Sequence, residues 1–472
     1  MRPFLVGCFT AFVALMQSTA SAAPDVAPNP LLPPAAARVV LLRGTITSTG
    51  STPVAGAEVR LLRNGSVVAN TLADKNGTYR FTDVTPGSGE PPIIAPGTYA
   101  LEAQYRGSTK SAGTVAIRAG STARRDVALG GIKKAGGASF VPRSTLSVTD
   151  RTVGSTPSSV DGAFSNERPI LACAPTPDCA LHYDVTDLAG PLFAPPAPLA
   201  DLDAFVDRMH SEYPAATTVT LYVHGFNNTF GDTLRLTAES VASIDQTAVP
   251  VLYSWPSKHE TARYIDDESS NAWASEHFTD FVVALLQHPR GPATVNILAH
   301  SMGNRIVVAA LRYIARAKPA MHGRIGQVVF AAPDIDATTF WEGVPAMAMA
   351  AQGLTVYGSH HDEALQLSRQ LHGHCRAGLF DCNDQFSLPA TVNEIDASYF
   401  RCDLIGHGYW AASTTVLGDI GAVFSHGPMQ PGTPPRTFIT PLTDGAGKPT
   451  PGRYRFSAAA PTDEACEAQP LV

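Results

Sequence analysis

Apolar positions along this chain follow two different rhythms. Between residues 39 and 117 they come in short alternating runs, at 39–47, 57–63, 66–72, 77–81, 97–105 and 114–117. A period of two marks half-buried strands, and Asn64-Gly65, Asn76-Gly77 and Pro96-Gly97 supply turns between them. An all-β sandwich is predicted there. Further on, strand-like and helix-like runs alternate. Residues 219–223, 249–254, 295–299, 327–331 and 354–358 read as strands, and 233–243, 269–286 and 303–317 as helices. That alternation predicts a mainly parallel sheet with helices on both faces. One more helix is expected over residues 202–212, with Asp201 as its N-cap.

Two turns in the second region carry candidate chemistry. Ala299-His300-Ser301-Met302-Gly303 joins an apolar strand to a helix, the setting in which a sharp turn exposes a nucleophilic serine above a sheet. Ala299 replaces the usual first glycine of that motif and is the next smallest residue. Upstream, His224-Gly225-Phe226-Asn227-Asn228 follows the strand at 218–223. A turn of that kind contributes one backbone N–H of an oxyanion hole, and the residue after the serine contributes the other, so Phe226 and Met302 are the expected donors.

A serine hydroxyl needs a base, and the base needs an orienting carboxylate. The chain order for this architecture is serine, acid, histidine. His407, flanked by Gly406 and Gly408, is the expected base, with His426 as runner-up. His224 and His300 sit inside the motif turns and are expected to hold local backbone. Asp362, after the strand at 354–358, is the expected acid; Asp334, after the preceding strand, is the alternative. Asp334-Ile335-Asp336 also reads as helix capping or loop hydrogen bonding. Asn304 and Arg305 are expected to anchor the helix after the serine. Tyr253, Trp255 and Trp410 are candidates for pocket lining or simple core. These parts imply a serine hydrolase forming an acyl-enzyme, with a small-molecule or lipid carboxylic ester as the simplest substrate. A serine peptidase and a non-catalytic binding protein on the same scaffold are the alternatives. No cofactor or metal is implied, although His372, His374 and Cys375 cluster in the sequence.

From about Thr218 to about Leu417 the chain resembles a family of bacterial α/β-hydrolases of uncharacterised physiological role. The resemblance is carried by Val223-His224-Gly225-Phe226-Asn227-Asn228, Tyr253-Ser254-Trp255-Pro256-Ser257, Ala299-His300-Ser301-Met302-Gly303-Asn304-Arg305 and Ala331-Ala332-Pro333-Asp334-Ile335-Asp336. Tyr357-Gly358-Ser359 leading to Asp362, and Leu404-Ile405-Gly406-His407, complete it. It implies the α/β-hydrolase fold and a triad, but no substrate. The first region is similar to carboxypeptidase regulatory-like (transthyretin-like) modules through Gly44-Thr45-Ile46, Pro53-Val54-Ala55-Gly56-Ala57-Glu58-Val59, Asp74-Lys75-Asn76-Gly77-Thr78-Tyr79-Arg80-Phe81 and Pro96-Gly97-Thr98-Tyr99. Residues 87–95 depart from that pattern as an insertion. Such a module reads as a spacer, or as a contact to the cell envelope or to glycans.

Composition adds compartment and boundaries. The N-terminus has Arg2, an apolar stretch from Phe4 to Met16 and Ala20-Ser21-Ala22, the layout of a signal peptide. Leu5-Val6-Gly7-Cys8 spells a lipobox, but too early to follow a hydrophobic segment. An exported protein, periplasmic or secreted, is expected, with no transmembrane segment. Cleavage removes Cys8 and leaves six of the seven cysteines, an even number suited to disulfides. Local spacing favours Cys173–Cys179 and Cys375–Cys382, leaving Cys402 for Cys466. A net charge of −7 and only short basic pairs argue against nucleic acid. The expected organisation is a signal peptide at 1–22, an Ala/Pro-rich tether at 23–36, the sandwich at 37–130 and a linker at 131–163. The hydrolase domain follows at 164–426, with an irregular tail at 427–472.

Overall fold

The computed structural model describes residues 38–468 apart from 48–52, 85–93, 130–143, 170–180, 403–405, 427–430, 461–465 and a few shorter stretches. The expected signal peptide, tether and Cys173–Cys179 pair lie outside the described residues.

An 11-stranded sheet organises the larger domain. Across it the order is Ala197–Leu199, His182–Thr186, Thr145–Thr149, Val249–Ser254, Thr218–Val223, Thr294–His300, Ile325–Ala331, Ala351–Gly358, Val392–Asp396, Pro449–Phe456 and Ile439–Thr443. The run from Thr145–Thr149 to Pro449–Phe456 is parallel throughout, and the outer pairs are antiparallel. Central strands such as Ile325–Ala331 are buried along their whole length, Gln327 included. The helix Leu202–Glu212 starts where expected, because Asp201 accepts from the Ala204 N–H at 2.9 Å. The helix Gly303–Ala317 also matches its expected span, whereas the long helix Tyr264–Gln287 begins five residues before the expected 269. Among the described residues no helix is long and apolar enough to cross a membrane.

Two expectations are corrected. The second half of the expected linker, from Ser144 onward, belongs to the larger domain: Thr145–Thr149 is an internal strand paired parallel to Val249–Ser254. Its hydroxyl residues Ser147 and Thr149 are fully buried, and Thr149 Oγ1 donates to the Ser254 carbonyl at 2.6 Å. The expected irregular tail supplies Ile439–Thr443 and Pro449–Phe456 to the sheet edge. Two of its arginines are buried there as pairs, Arg436 Nε with Asp419 Oδ1 at 2.7 Å and Arg453 Nε with Glu394 Oε2 at 3.2 Å. Cys402 and Cys466 are bonded across a separation of 64 residues, beside the short pairing of Phe400–Arg401 with Glu467–Ala468. Cys375 and Cys382 are bonded as well.

Residues 38–128 form a separate β domain of two sheets. Leu42, Ile46, Val59, Leu61, Phe81, Leu101 and Ala103 fill its interior with no exposed surface. Its strand Ser66–Leu72 lies against the helix Thr414–His426 of the larger domain.

Asp184 is a buried liability in the main sheet. Its Oδ2 has no partner, and burial pushes the carboxyl up to about 7. The folded state therefore holds this proton more tightly than the unfolded chain, whose aspartates titrate near ~3.9. The stability linked to it is complete below about pH 4 and is lost as pH rises through about 7. Asp184→Asn is expected to raise the melting temperature by several degrees at pH 8 and hardly at all at pH 4. Thermal melts of the two proteins at both pH values check this.

Candidate active site

Ser301 stands at the end of the strand Thr294–His300 with a left-handed φ of 53°. A non-glycine residue in that region is strained, and the surrounding bonds hold it there. Its N–H donates to the Ala331 carbonyl at 3.0 Å. Its carbonyl accepts from the Asn304 N–H, the Asn304 side chain and the Asp334 N–H at 3.1, 2.8 and 3.2 Å. Two glycines make the turn possible. A Cβ on Gly303 would come within 2.3 Å of the His224 carbonyl oxygen, and one on Gly225 within 2.7 Å of the Ser301 Cβ. The serine turn and the His224–Asn228 turn therefore lie in direct contact.

The second turn is shaped by buried polar groups. His224 stacks on Trp255 with ring centroids 5.1 Å apart, and Trp255 Nε1 donates to the His224 carbonyl at 2.8 Å. Asn228 Nδ2 donates to the Gly225 and Phe226 carbonyls at 3.2 and 2.8 Å, and Asn227 takes a left-handed φ of 63°. Among the described residues the Phe226 and Met302 N–H groups donate to no backbone acceptor. Asn271, on the long helix, donates to the Met302 carbonyl at 3.1 Å and fixes that peptide.

Arg151 is a neighbour of this turn that the sequence concealed. Fully buried, its guanidinium donates to Ser254 Oγ at 2.9 Å, Asn166 Oδ1 at 2.8 Å and the Asn228 carbonyl at 3.0 Å. It also lies 3.4 Å from His224 Nε2. Both ring nitrogens of His224 face carbonyl oxygens, Nδ1 that of Gly225 at 2.8 Å and Nε2 that of Trp255 at 3.1 Å. Burial, with Arg151 adding to it, brings His224 down to about 3, and the ring is neutral. Burial lowers Arg151 to about 10, which leaves it charged at neutral pH. No motif marks this residue, and the strand before it, Thr145–Thr149, is only five residues long.

His407 Nδ1 meets Asp362 Oδ2 at 2.7 Å. Asp362 caps the helix Glu363–His372 with its other oxygen, which accepts from the Leu365 N–H at 2.9 Å. Burial raises the Asp362 carboxyl and His407 offsets part of that rise. The His407 ring packs 4.8 Å from that of His300, and the His407 carbonyl lies 3.3 Å from His300 Nε2. Burial, with His407 adding to it, holds His300 well below the usual histidine range. His426 is exposed at the end of its helix.

Asp334 is engaged elsewhere. Its carboxylate accepts from Ser368 Oγ at 2.6 Å and from the Tyr264 hydroxyl, with Arg376 Nε at 3.3 Å and Arg305 Nη2 at 3.5 Å. Burial alone favours its protonated form, but Arg305 and Arg376 override that and hold the carboxyl below the usual range. Asp336 caps the helix Ala337–Ala350 through the Thr339 N–H at 2.8 Å. Arg305 also donates to Glu268 at 2.6 Å, which ties the helix after the serine to the long helix. Tyr253, Trp255 and Trp410 are buried core residues. The Phe226 ring meets Tyr264 edge-on at 5.1 Å. His372 Nε2 lies 2.8 Å from Glu268, and Cys375 is disulfide-bonded.

A parallel sheet with helices on both faces, a serine at a strand-to-helix elbow and a carboxylate–histidine pair after later strands define an α/β-hydrolase domain. In agreement, the model of a family described as "Alpha/beta hydrolase of unknown function (DUF900)" matches residues 203–423. No curated protein sequence matches the chain. Among solved structures, the chain is similar to lipase B of Aspergillus fumigatus at 11% identity, covering 43% of this chain and 49% of that one, with a TM-score of 0.22. An esterase of Pyrococcus furiosus is similar at 9% identity over 50% and 88% of the two chains, with a TM-score of 0.25. The major pilin subunit of Bacillus cereus is 16% identical over 18% of this chain, with a TM-score of 0.13, and the match spans only 28% of the pilin. At such TM-scores these likenesses add nothing to the fold.

Proposed function

We propose that this protein is an exported serine hydrolase that cleaves carboxylic esters. The observation that supports it most is the 2.7 Å bond between His407 and Asp362 beside the Ser301 elbow. In this reading Ser301 Oγ attacks the ester carbonyl while His407 Nε2 takes its proton, and Asp362 steadies the imidazolium that forms. The N–H groups of Phe226 and Met302 hold the oxyanion. His407 then protonates the leaving alcohol, and water activated by the same histidine releases the acid. The N-terminal β domain serves as a spacer or as a contact to the cell envelope. A panel of short-chain esters, long-chain esters and peptide amides tests the assignment. Turnover of short-chain esters is expected; folded protein that hydrolyses only amides, or nothing, would contradict it.

The two candidate acids separate by different losses. Asp362→Asn is expected to lower kcat on the order of 10⁴-fold, because the histidine loses its orienting anion. Asp334→Asn leaves the buried Arg376 short of a counter-charge, while Arg305 keeps Glu268, and is expected to cost about 3–5 kcal/mol of stability, with a smaller loss of kcat. Turnover numbers and melting temperatures of both variants decide; the reverse order of kcat would move the acid to Asp334.

A further inference from the structure

Away from Ser301, the start of the long helix Tyr264–Gln287 borders a cleft of about 570 Å³. That is within the size range of small-ligand sites. Arg168, Lys258 and Arg263 bring three cations to it, against the carboxylates of Glu167 and Asp266. The surplus of positive charge stands out on a chain whose net charge is −7.

Its charges are unevenly matched. Arg263 pairs with Asp266 one helical turn away, at the exposed rim. Lys258 has a side chain only 8% exposed, yet its partner Glu167 is 62% exposed. An ion pair with one partner in water contributes little, so Glu167 can leave Lys258 at small cost. Arg168 has no carboxylate partner among the described residues, and its guanidinium lies 5.9 Å from the ring centre of Trp273. Ser270, also in the wall, is 1% exposed and its hydroxyl has no hydrogen-bond partner. An ammonium, a free guanidinium fork and an unused buried hydroxyl together fit a compact anion with several acceptor oxygens.

The cleft is joined to the candidate active site by short bonds. The Lys258 N–H donates to Asp267 Oδ1 at 2.7 Å, and Asp267 Oδ2 accepts from Ser257 Oγ at 2.6 Å. Ser257 Oγ in turn accepts from the Asn228 N–H at 3.2 Å. His259 Nδ1 lies 3.1 Å from the Asn227 carbonyl, and Asn271, next to Ser270, holds the Met302 carbonyl. An occupant of the cleft thus bears on the backbone of both turns that flank Ser301.

We propose that this cleft binds a phosphate group, free or carried on the ester substrate, through Lys258, Arg168 and Ser270. The second source rests on the hydrolase reading above; the binding itself does not. Inorganic phosphate is titrated into the full-length protein by calorimetry, alongside Ser301→Ala, Arg168→Gln and Lys258→Gln. Saturable binding is expected in the wild type and in Ser301→Ala. Each cleft variant should weaken it at least about tenfold, the loss of one charge-assisted hydrogen bond. Arg168 is exposed, so its variant is expected to melt like the wild type. A pair of esters with and without a phosphate group separates the sources. A lower KM for the phosphorylated ester, lost in Arg168→Gln, places the group on the substrate; phosphate-dependent turnover of the neutral ester marks a free ion. No saturable binding by the wild type, or equal binding in the folded cleft variants, overturns the proposal whatever the fate of the hydrolase reading.

Discussion

Ser301→Ala is expected to lower ester turnover on the order of 10⁴- to 10⁶-fold while the melting temperature stays near that of the wild type. The large effect follows from the role of Oγ as the only atom that would form the acyl bond. The small structural effect follows from how the residue is held. Its bonds to Ala331, Asn304 and Asp334 run through the backbone and survive in alanine. Both residues carry a Cβ, so the strain of the left-handed φ is about the same in each. Steady-state kinetics and a thermal melt on the same preparation check the two halves together. A variant with wild-type turnover would remove Ser301 from the chemistry.

A chain that begins at Thr156 is expected to be inactive and largely unfolded, whereas one that begins within residues 131–143 keeps its activity on a small soluble ester. Sequence patterning suggests the opposite for the shorter form, because the glycine-rich stretch runs on towards Thr156 and every assigned catalytic residue lies beyond it. The structure changes that expectation. Cutting at Thr156 removes the strand Thr145–Thr149 from the parallel run and leaves Val249–Ser254 with a bare edge. It also removes Arg151, whose loss strands Ser254 Oγ and the Asn228 carbonyl in a buried setting. Each buried polar group left unpaired costs about 1–3 kcal/mol, a large share of the ~5–15 kcal/mol that holds a typical domain together. Expression, circular dichroism and ester turnover of the two chains make the comparison. Equal activity would show that this strand and Arg151 are dispensable.

What could be read from sequence here depended on whether a residue's role is local. The elbow around Ser301 and the turn around Phe226 declare themselves because their backbone geometry demands small residues at fixed offsets, as the close approaches at Gly225 and Gly303 show. Chain order and flanking glycines pointed to Asp362 and His407 as candidates, and the two lie within hydrogen-bond distance. Thr145–Thr149 escaped because it is short and because Thr145, Ser147 and Thr149 are buried although hydropathy counts them as polar. Arg151, Arg436 and Arg453 escaped for the same reason in stronger form. Charges that look solvated along the chain are buried because tertiary partners wait for them. Asp334 illustrates the converse: its position after a strand suits an acid, but Arg305 and Arg376 already occupy it.

The most direct measurement is covalent. Full-length protein is incubated with a fluorophosphonate, digested, and mapped by mass spectrometry, with His407→Ala as the control. A fluorophosphonate needs an activated serine and an oxyanion hole together, so it reports on Ser301, His407 and the two N–H donors in one step. The expected result is a single adduct on the peptide carrying Ser301, approaching one per molecule in the wild type and strongly slowed in His407→Ala. No adduct on Ser301 in folded protein, or labelling of Ser301 at the same rate without His407, would contradict a serine hydrolase mechanism.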